Sequence, residues 1–125
     1  MEKSVKSHRD LEVYKLSFKL AMEIFNISKT FPVEEKYSLT DQIRRSTRSV
    51  SSNIAEAFRK RRYPKSFILK LSESETESAE TQVWLEFAHS CNYLSHELYN
   101  DLYSRYDLVI GKIINLMRTA EKWRL

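Results

Sequence analysis

Turn-forming residues are almost missing from this chain of 125 residues, which has one glycine and two prolines. Hairpins and sandwiches need more turn chemistry than that, so the composition points to a few long helices. With one glycine the chain also lacks the Gly-rich phosphate loops and nucleophile elbows of many nucleotide-binding and hydrolytic sites. The lone cysteine, Cys91, cannot form an internal disulfide and suits a reducing compartment. No run of about 18 apolar residues is present, and the polar start MEKSVKSHRD lacks the apolar stretch of a signal peptide. A cytoplasmic protein with no membrane partner is expected.

What the chain does have is charge of both signs. Lys and Arg total 21 against 17 Asp and Glu, a net +4 with a pI near 9.2. That balance permits nucleic-acid binding without demanding it, so the distribution of the charge decides. The length fits one domain, residues 1–125, with a real core and no linker.

Apolar periodicity predicts an all-α fold, an antiparallel up-down four-helix bundle with helices near 10–30, 38–62, 64–92 and 95–122. Asp10 is the expected cap of the first helix, Ser38 with Asp41 a capping box for the second, and Ser95 the cap of the fourth. Pro64 suits the first turn of the third. In the second helix Leu39, Ile43, Val50, Ile54, Ala57 and Phe58 form the core stripe, and small residues such as Ser46, Ser51 and Ala55 allow close approach. Leu98, Leu102, Val109, Ile113 and Leu116 line the fourth.

The first and third helices each show two apolar stripes where a monomeric bundle needs one. Leu11, Tyr14, Phe18, Met22 and Phe25 share one side of the first; Val13, Leu16, Leu20, Ile24 and Ile27 line nearly the opposite side. On the third, Phe67, Ile68, Leu71, Leu85 and Ala88 oppose Leu69, Val83, Trp84, Phe87 and Leu94, and Glu75 interrupts the core side. Exposed second stripes would promote aggregation, so a homo-oligomer is expected. Its interface is assigned to Leu16, Leu20, Ile24, Leu69, Val83, Trp84 and Phe87, with Trp84 and Phe87 as anchors. A central helix covered on both sides is the alternative.

Bundles can hold paired Glu-x-x-His metal motifs, but Glu86–His89 is the single instance here. His89, Cys91 and His96 do not meet zinc-ligand spacing, which leaves His89 as a core-edge or solvated side chain and Cys91 as a buried thiol. No metal, no cofactor and no catalytic residue is assigned, and the chain is read as a non-enzyme. The acidic run SESETESAET, 72–81, reads as a solvated helix face. Tyr99, Tyr103 and Tyr106 share a flank of the fourth helix and read as packing or interface residues rather than base-stacking ones.

The candidate site is a basic stripe. Arg44, Arg45, Arg48, Arg59 and Arg62 share one side of the second helix, and Lys60, Arg61 and Lys65 extend the stripe around the corner at Pro64. Over roughly 18 residues it would span about 27 Å, enough to follow several phosphates. Ion pairs at i, i+4, Asp41 with Arg45 and Glu56 with Lys60, together with the dipole at a helix end, account for part of it without any ligand.

The segments DLEVYKLSFKLA, SLTDQIRRSTRSVSSNIAEAFRKRRYPKSF and SETESAETQVWLEFA resemble the four-helix-bundle family encoded in intervening sequences of 23S rRNA genes, also called the S23 ribosomal protein family. The chain is similar as well to the accessory variability determinant of diversity-generating retroelements. The most specific residues are Leu39-Thr40, Gln42-Ile43-Arg44-Arg45, Ser49, Asn53-Ile54-Ala55-Glu56 and Glu80-Thr81-Gln82. The resemblance implies a homopentameric, barrel-like ring with a basic surface and, for retroelement members, a reverse transcriptase and nucleic acid as partners. It makes Arg44 and Arg45 the basic pair of the motif and gives Asn53 and Glu56 a packing role. Ala57 stands where the pattern has Gly, and Ser74-Glu75 where many members have Gly-Ser. The expected function is thus a non-enzymatic, oligomeric bundle that binds RNA or DNA through phosphates as an accessory to a ribonucleoprotein or reverse transcriptase. A protein-binding scaffold without a nucleic-acid role is the alternative.

Overall fold

The computed structural model describes residues 5–125, and no strand occurs among them. Four long helices, α1 (Glu12–Ser28), α2 (Leu39–Arg59), α3 (Pro64–Ser90) and α4 (His96–Arg118), are followed by one turn, α5 (Ala120–Trp123). Short connections and packing between successive helices make this an antiparallel up-down bundle. α1 packs on α2 and α4, α3 packs on α2 and α4, and α1 and α3 therefore lie on a diagonal.

The helix boundaries follow local chemistry, with corrections to the expected caps. Ser7 and Asp10 form a capping box around a short 3-10 turn, and α1 starts after Leu11 rather than at Asp10. Ser38 makes no capping bond; the Glu35 carboxylate accepts from the Leu39 amide instead, at 3.3 Å. α2 stops at Arg59, three residues short of the expected end, because Lys60 leaves helical geometry ahead of Pro64. Pro64 occupies the first turn of α3, and the Ser95 hydroxyl accepts from the Leu98 amide to start α4, both as expected. At the end of α3, Asn92 takes the left-handed conformation (φ 63°), and the Tyr93 amide donates back to the Ala88 carbonyl at 2.8 Å. This is the Schellman geometry that stops a helix. It leaves Cys91 on the exposed cap, not buried as expected.

The core joins Leu20, Ile43, Ile54, Leu71, Leu102 and Ile113, all essentially inaccessible. Tyr106 belongs to it, and burial pushes its phenol pKa upward. Between the helices lies a layer of small hydroxyl side chains. Ser74 Oγ of α3 donates to the Val50 carbonyl of α2 at 2.8 Å, Thr81 Oγ1 donates to Ser46 Oγ at 2.8 Å, and Ser17 and Ser51 Oγ meet at 2.9 Å between α1 and α2. A side chain reaching a neighbouring backbone carbonyl requires close helix approach, which small residues allow. The core side of α3 therefore runs through Ser74 and Ser78; Glu75 is half-buried beside it and Ile68 faces out.

The first helix turns its two stripes the opposite way from the expected interface. Leu20 and Ile24 are buried within the chain, and Leu16 is half-buried against the same core, so these residues are not an exposed contact surface. Phe18, 51% exposed, and Met22 face outward instead. The reason is that Ser17 and Ala21 lie between the Val13, Leu20 and Ile24 positions, and that narrow face fits the serine-lined side of α2. Leu69, Val83 and Phe87 of α3 are exposed as expected, with Trp84 half-buried.

Between the neighbouring helices α1 and α4, Arg105 forms a two-pronged ion pair with Glu23 at 2.7 and 2.8 Å and a further bond to Asp101. This hydrogen bonding holds the Glu23 carboxyl below its usual pKa. The hydroxyl layer gives a graded test by urea denaturation. Ser74→Ala, which loses one hydrogen bond, is expected to cost about 1 kcal/mol, and Ser74→Leu, which overfills the layer, about 2 to 3 kcal/mol. Equal effects would show that close approach is not the constraint.

Candidate nucleic-acid interface

The basic residues lie on the outer side of α2 and at its end, but the structure divides them. Arg44 is partly buried, with its Nε donating to Ser28 Oγ of α1 at 2.8 Å. Its guanidinium lies 4.7 Å from the centre of the Phe25 ring, Arg48 lies 5.7 Å from the same ring, and Lys29 Nζ lies 4.9 Å from it. Three cations thus surround one aromatic ring, and none is in a salt bridge among the described residues. The ring quadrupole offsets part of their repulsion. Lys29 was not among the expected site residues; its i, i+4 spacing from Phe25 was the available signal.

Arg45 instead pairs with Asp41 at 3.0 Å, the i, i+4 contact expected from the sequence. Three-quarters of its side chain is solvent-exposed, so the pair contributes little to stability. The expected Glu56–Lys60 pair does not form. Glu56 instead reaches across to Lys70 of α3 at 3.7 Å, and Lys70 also contacts Glu73 at 3.1 Å. Glu56 is exposed, and this contact lies on the surface outside the core. Asn53, buried, donates to the Ser49 carbonyl and hydroxyl within its own helix.

At the corner, Arg61 lies 3.7 Å over the Phe58 ring, half-buried, where burial and the neighbouring Arg59 lower its pKa. It is part of the packing at the bundle end. Arg59, Lys60, Arg62 and Lys65 are exposed around it, and none has a carboxylate partner among the described residues. The helical part of the stripe, Arg44 to Arg59, covers about 22 Å. Its α3 side is bordered by carboxylates, since Glu77 and Glu80 line one shallow groove together with Arg45 and Arg48. Burial, followed by the charge of Glu80, raises the pKa of Glu77. On the α1 side, Arg48 borders an apolar groove of about 390 Å³ floored by Tyr14, Phe18, Met22 and Phe25. Arg59, Lys60, Arg62 and Lys65 at the corner line neither groove.

The 23S rRNA-intervening sequence protein family matches residues 9–115, which include every residue of the basic stripe. The chain belongs to this family. Among solved structures it is similar to a protein of unknown function from the S23 ribosomal protein family of Bacteroides thetaiotaomicron, with 30% identity and a TM-score of 0.77. That similarity covers 86% of this chain and 96% of the other. No curated protein sequence is significantly similar. No helix among the described residues is long and apolar enough to cross a membrane.

Within this member of the family, the basic residues separate into structural and solvent-facing groups, which denaturation can distinguish. Arg44→Ala is expected to cost about 1 kcal/mol through its bond to Ser28 and its contact with Phe25. Arg62→Ala and Lys65→Ala should each stay within about 0.5 kcal/mol of the parent. Equal losses at all three positions would contradict the division.

Proposed function

We propose that this chain is a non-enzymatic, oligomeric helical bundle that binds RNA or DNA through backbone phosphates. It would act as an accessory to a ribonucleoprotein or reverse transcriptase. The observation that carries the reading is the corner cluster of Arg59, Lys60, Arg62 and Lys65, exposed at one end of the bundle without carboxylate partners among the described residues. Uncompensated cations gathered at one end attract a polyanion, and phosphate contact there requires no groove-reading element. Sequence specificity is accordingly low.

The exposed apolar faces support assembly. Phe18 and Met22 lie on α1, and Leu69, Val83 and Phe87 lie on α3 across the diagonal. Two different faces on opposite sides favour a head-to-tail contact, which closes into a ring, over a two-fold dimer, and this agrees with the homopentamer implied by the family. The groove on the α1 side carries Arg48 at its edge, while the α3 face carries Glu73 and Glu80, so the two surfaces are complementary in charge. In such a ring Arg44 and Arg48 belong to the subunit contact, the corner clusters remain outside, and each subunit adds phosphate contacts. The involvement of Arg44 and Arg48 with Phe25 favours, as a second reading, a scaffold whose basic residues serve protein contacts alone.

A salt titration of binding to a structured RNA separates the two. Four phosphate contacts per chain predict a log–log slope of about −3 for each chain engaged, and the combined Arg59→Glu, Lys60→Glu, Arg62→Glu and Lys65→Glu variant should remove binding. Negligible affinity at low salt would leave the scaffold. By light scattering the parent should be a multimer and Phe18→Glu or Phe87→Glu a smaller species; a monodisperse parent monomer would contradict the assembly.

A further inference from the structure

The α3–α4 turn brings together two imidazoles that are seven residues apart. α3 is stopped by left-handed Asn92, α4 is restarted by the Ser95 cap, and His89 Nε2 comes to lie 3.4 Å from His96 Nδ1. Both rings are held. His89 stacks on Tyr99 with centroids 4.4 Å apart and planes 12° from parallel. His96 Nε2 lies 2.9 Å from the Asn100 side-chain amide.

The distance between the two nitrogens is informative. At 3.4 Å it exceeds the range of about 2.7 to 3.2 Å in which a nitrogen donor makes a good hydrogen bond. It matches the edge of a tetrahedron around a metal with bonds of about 2.05 Å to nitrogen, which is about 3.3 Å. The outer nitrogen of His96 has a suitable second partner as well. With the Asn100 amide turned so that its oxygen accepts from Nε2–H, Nδ1 presents its lone pair, the arrangement by which ligating histidines are commonly oriented. No third His, Cys, Asp or Glu joins the pair among the described residues, so solvent would supply the remaining positions.

We propose that His89 and His96 form a two-imidazole chelate for a borderline divalent cation that takes tetrahedral geometry, such as Zn²⁺. Bound there, the ion links the end of α3 to the first turn of α4 across the turn and opposes opening of that end of the bundle. Imidazole nitrogen selects such ions over Mg²⁺ and Ca²⁺, which prefer oxygen. The site lies apart from the basic corner, and the inference does not depend on nucleic-acid binding.

The test is a titration of the full chain, stripped with chelator, with Zn²⁺ and with Co²⁺. One ion of either kind per chain should bind and raise the melting temperature, and Mg²⁺ should have no effect. His89→Ala and His96→Ala should each weaken binding at least tenfold and abolish the thermal shift, and Asn100→Ala should weaken it about tenfold. Circular dichroism and the metal-free melting temperature show whether each variant is folded. Zn²⁺ binding that survives in both folded histidine variants, or no saturable binding by the parent, would overturn the proposal.

Discussion

Close approach of α3 to α2 is the constraint on which the rest of the structure depends. Ser74 touches the α2 backbone at the Val50 carbonyl, and Thr81 meets Ser46. On the other flank of α2, Ser17 and Ser51 make the corresponding contact with α1. Hydroxyls here fill little volume and bond to one another or to main-chain carbonyls, so the layer is polar without leaving these groups unpaired. Bulky side chains would hold the helices apart. Small ones fix which side of each helix is inward, and hence which residues are left outside.

Two consequences follow for function. With its narrow side inward, α1 leaves Phe18 and Met22 exposed, and α3 leaves Leu69, Val83 and Phe87 exposed on the diagonal. These are the surfaces that the proposed assembly would cover. With its serine and apolar side inward, α2 presents its arginines outward, where Phe25 and Ser28 of α1 engage the first part of the stripe and solvent surrounds the last. One sequence pattern thereby becomes two surfaces, a cation-rimmed aromatic groove and an open basic corner.

Ala57 and Ser74 belong to this same packing. Both are fully buried, Ala57 in the apolar core and Ser74 in the hydroxyl layer. Where the resemblance implies glycine, each of them has a side chain, which favours helix continuity. The long uninterrupted α2 and α3 agree with that preference.

The helices themselves were legible in the sequence, because apolar spacing, Pro64 and the Ser95 cap act within a few residues of where they stand. So were the double stripes of the first and third helices, the basic run and the Asp41–Arg45 pair, all local in origin. The choice between stripes was not: Leu20 and Ile24 went inward because Ser17 meets Ser51, a contact 34 residues away in the chain. The division of the arginines likewise depended on Phe25 and Ser28 lying beside α2, and the meeting of His89 with His96 on a left-handed Asn92. Periodicity gives a helix its faces, but only another helix packed against it decides which face is buried.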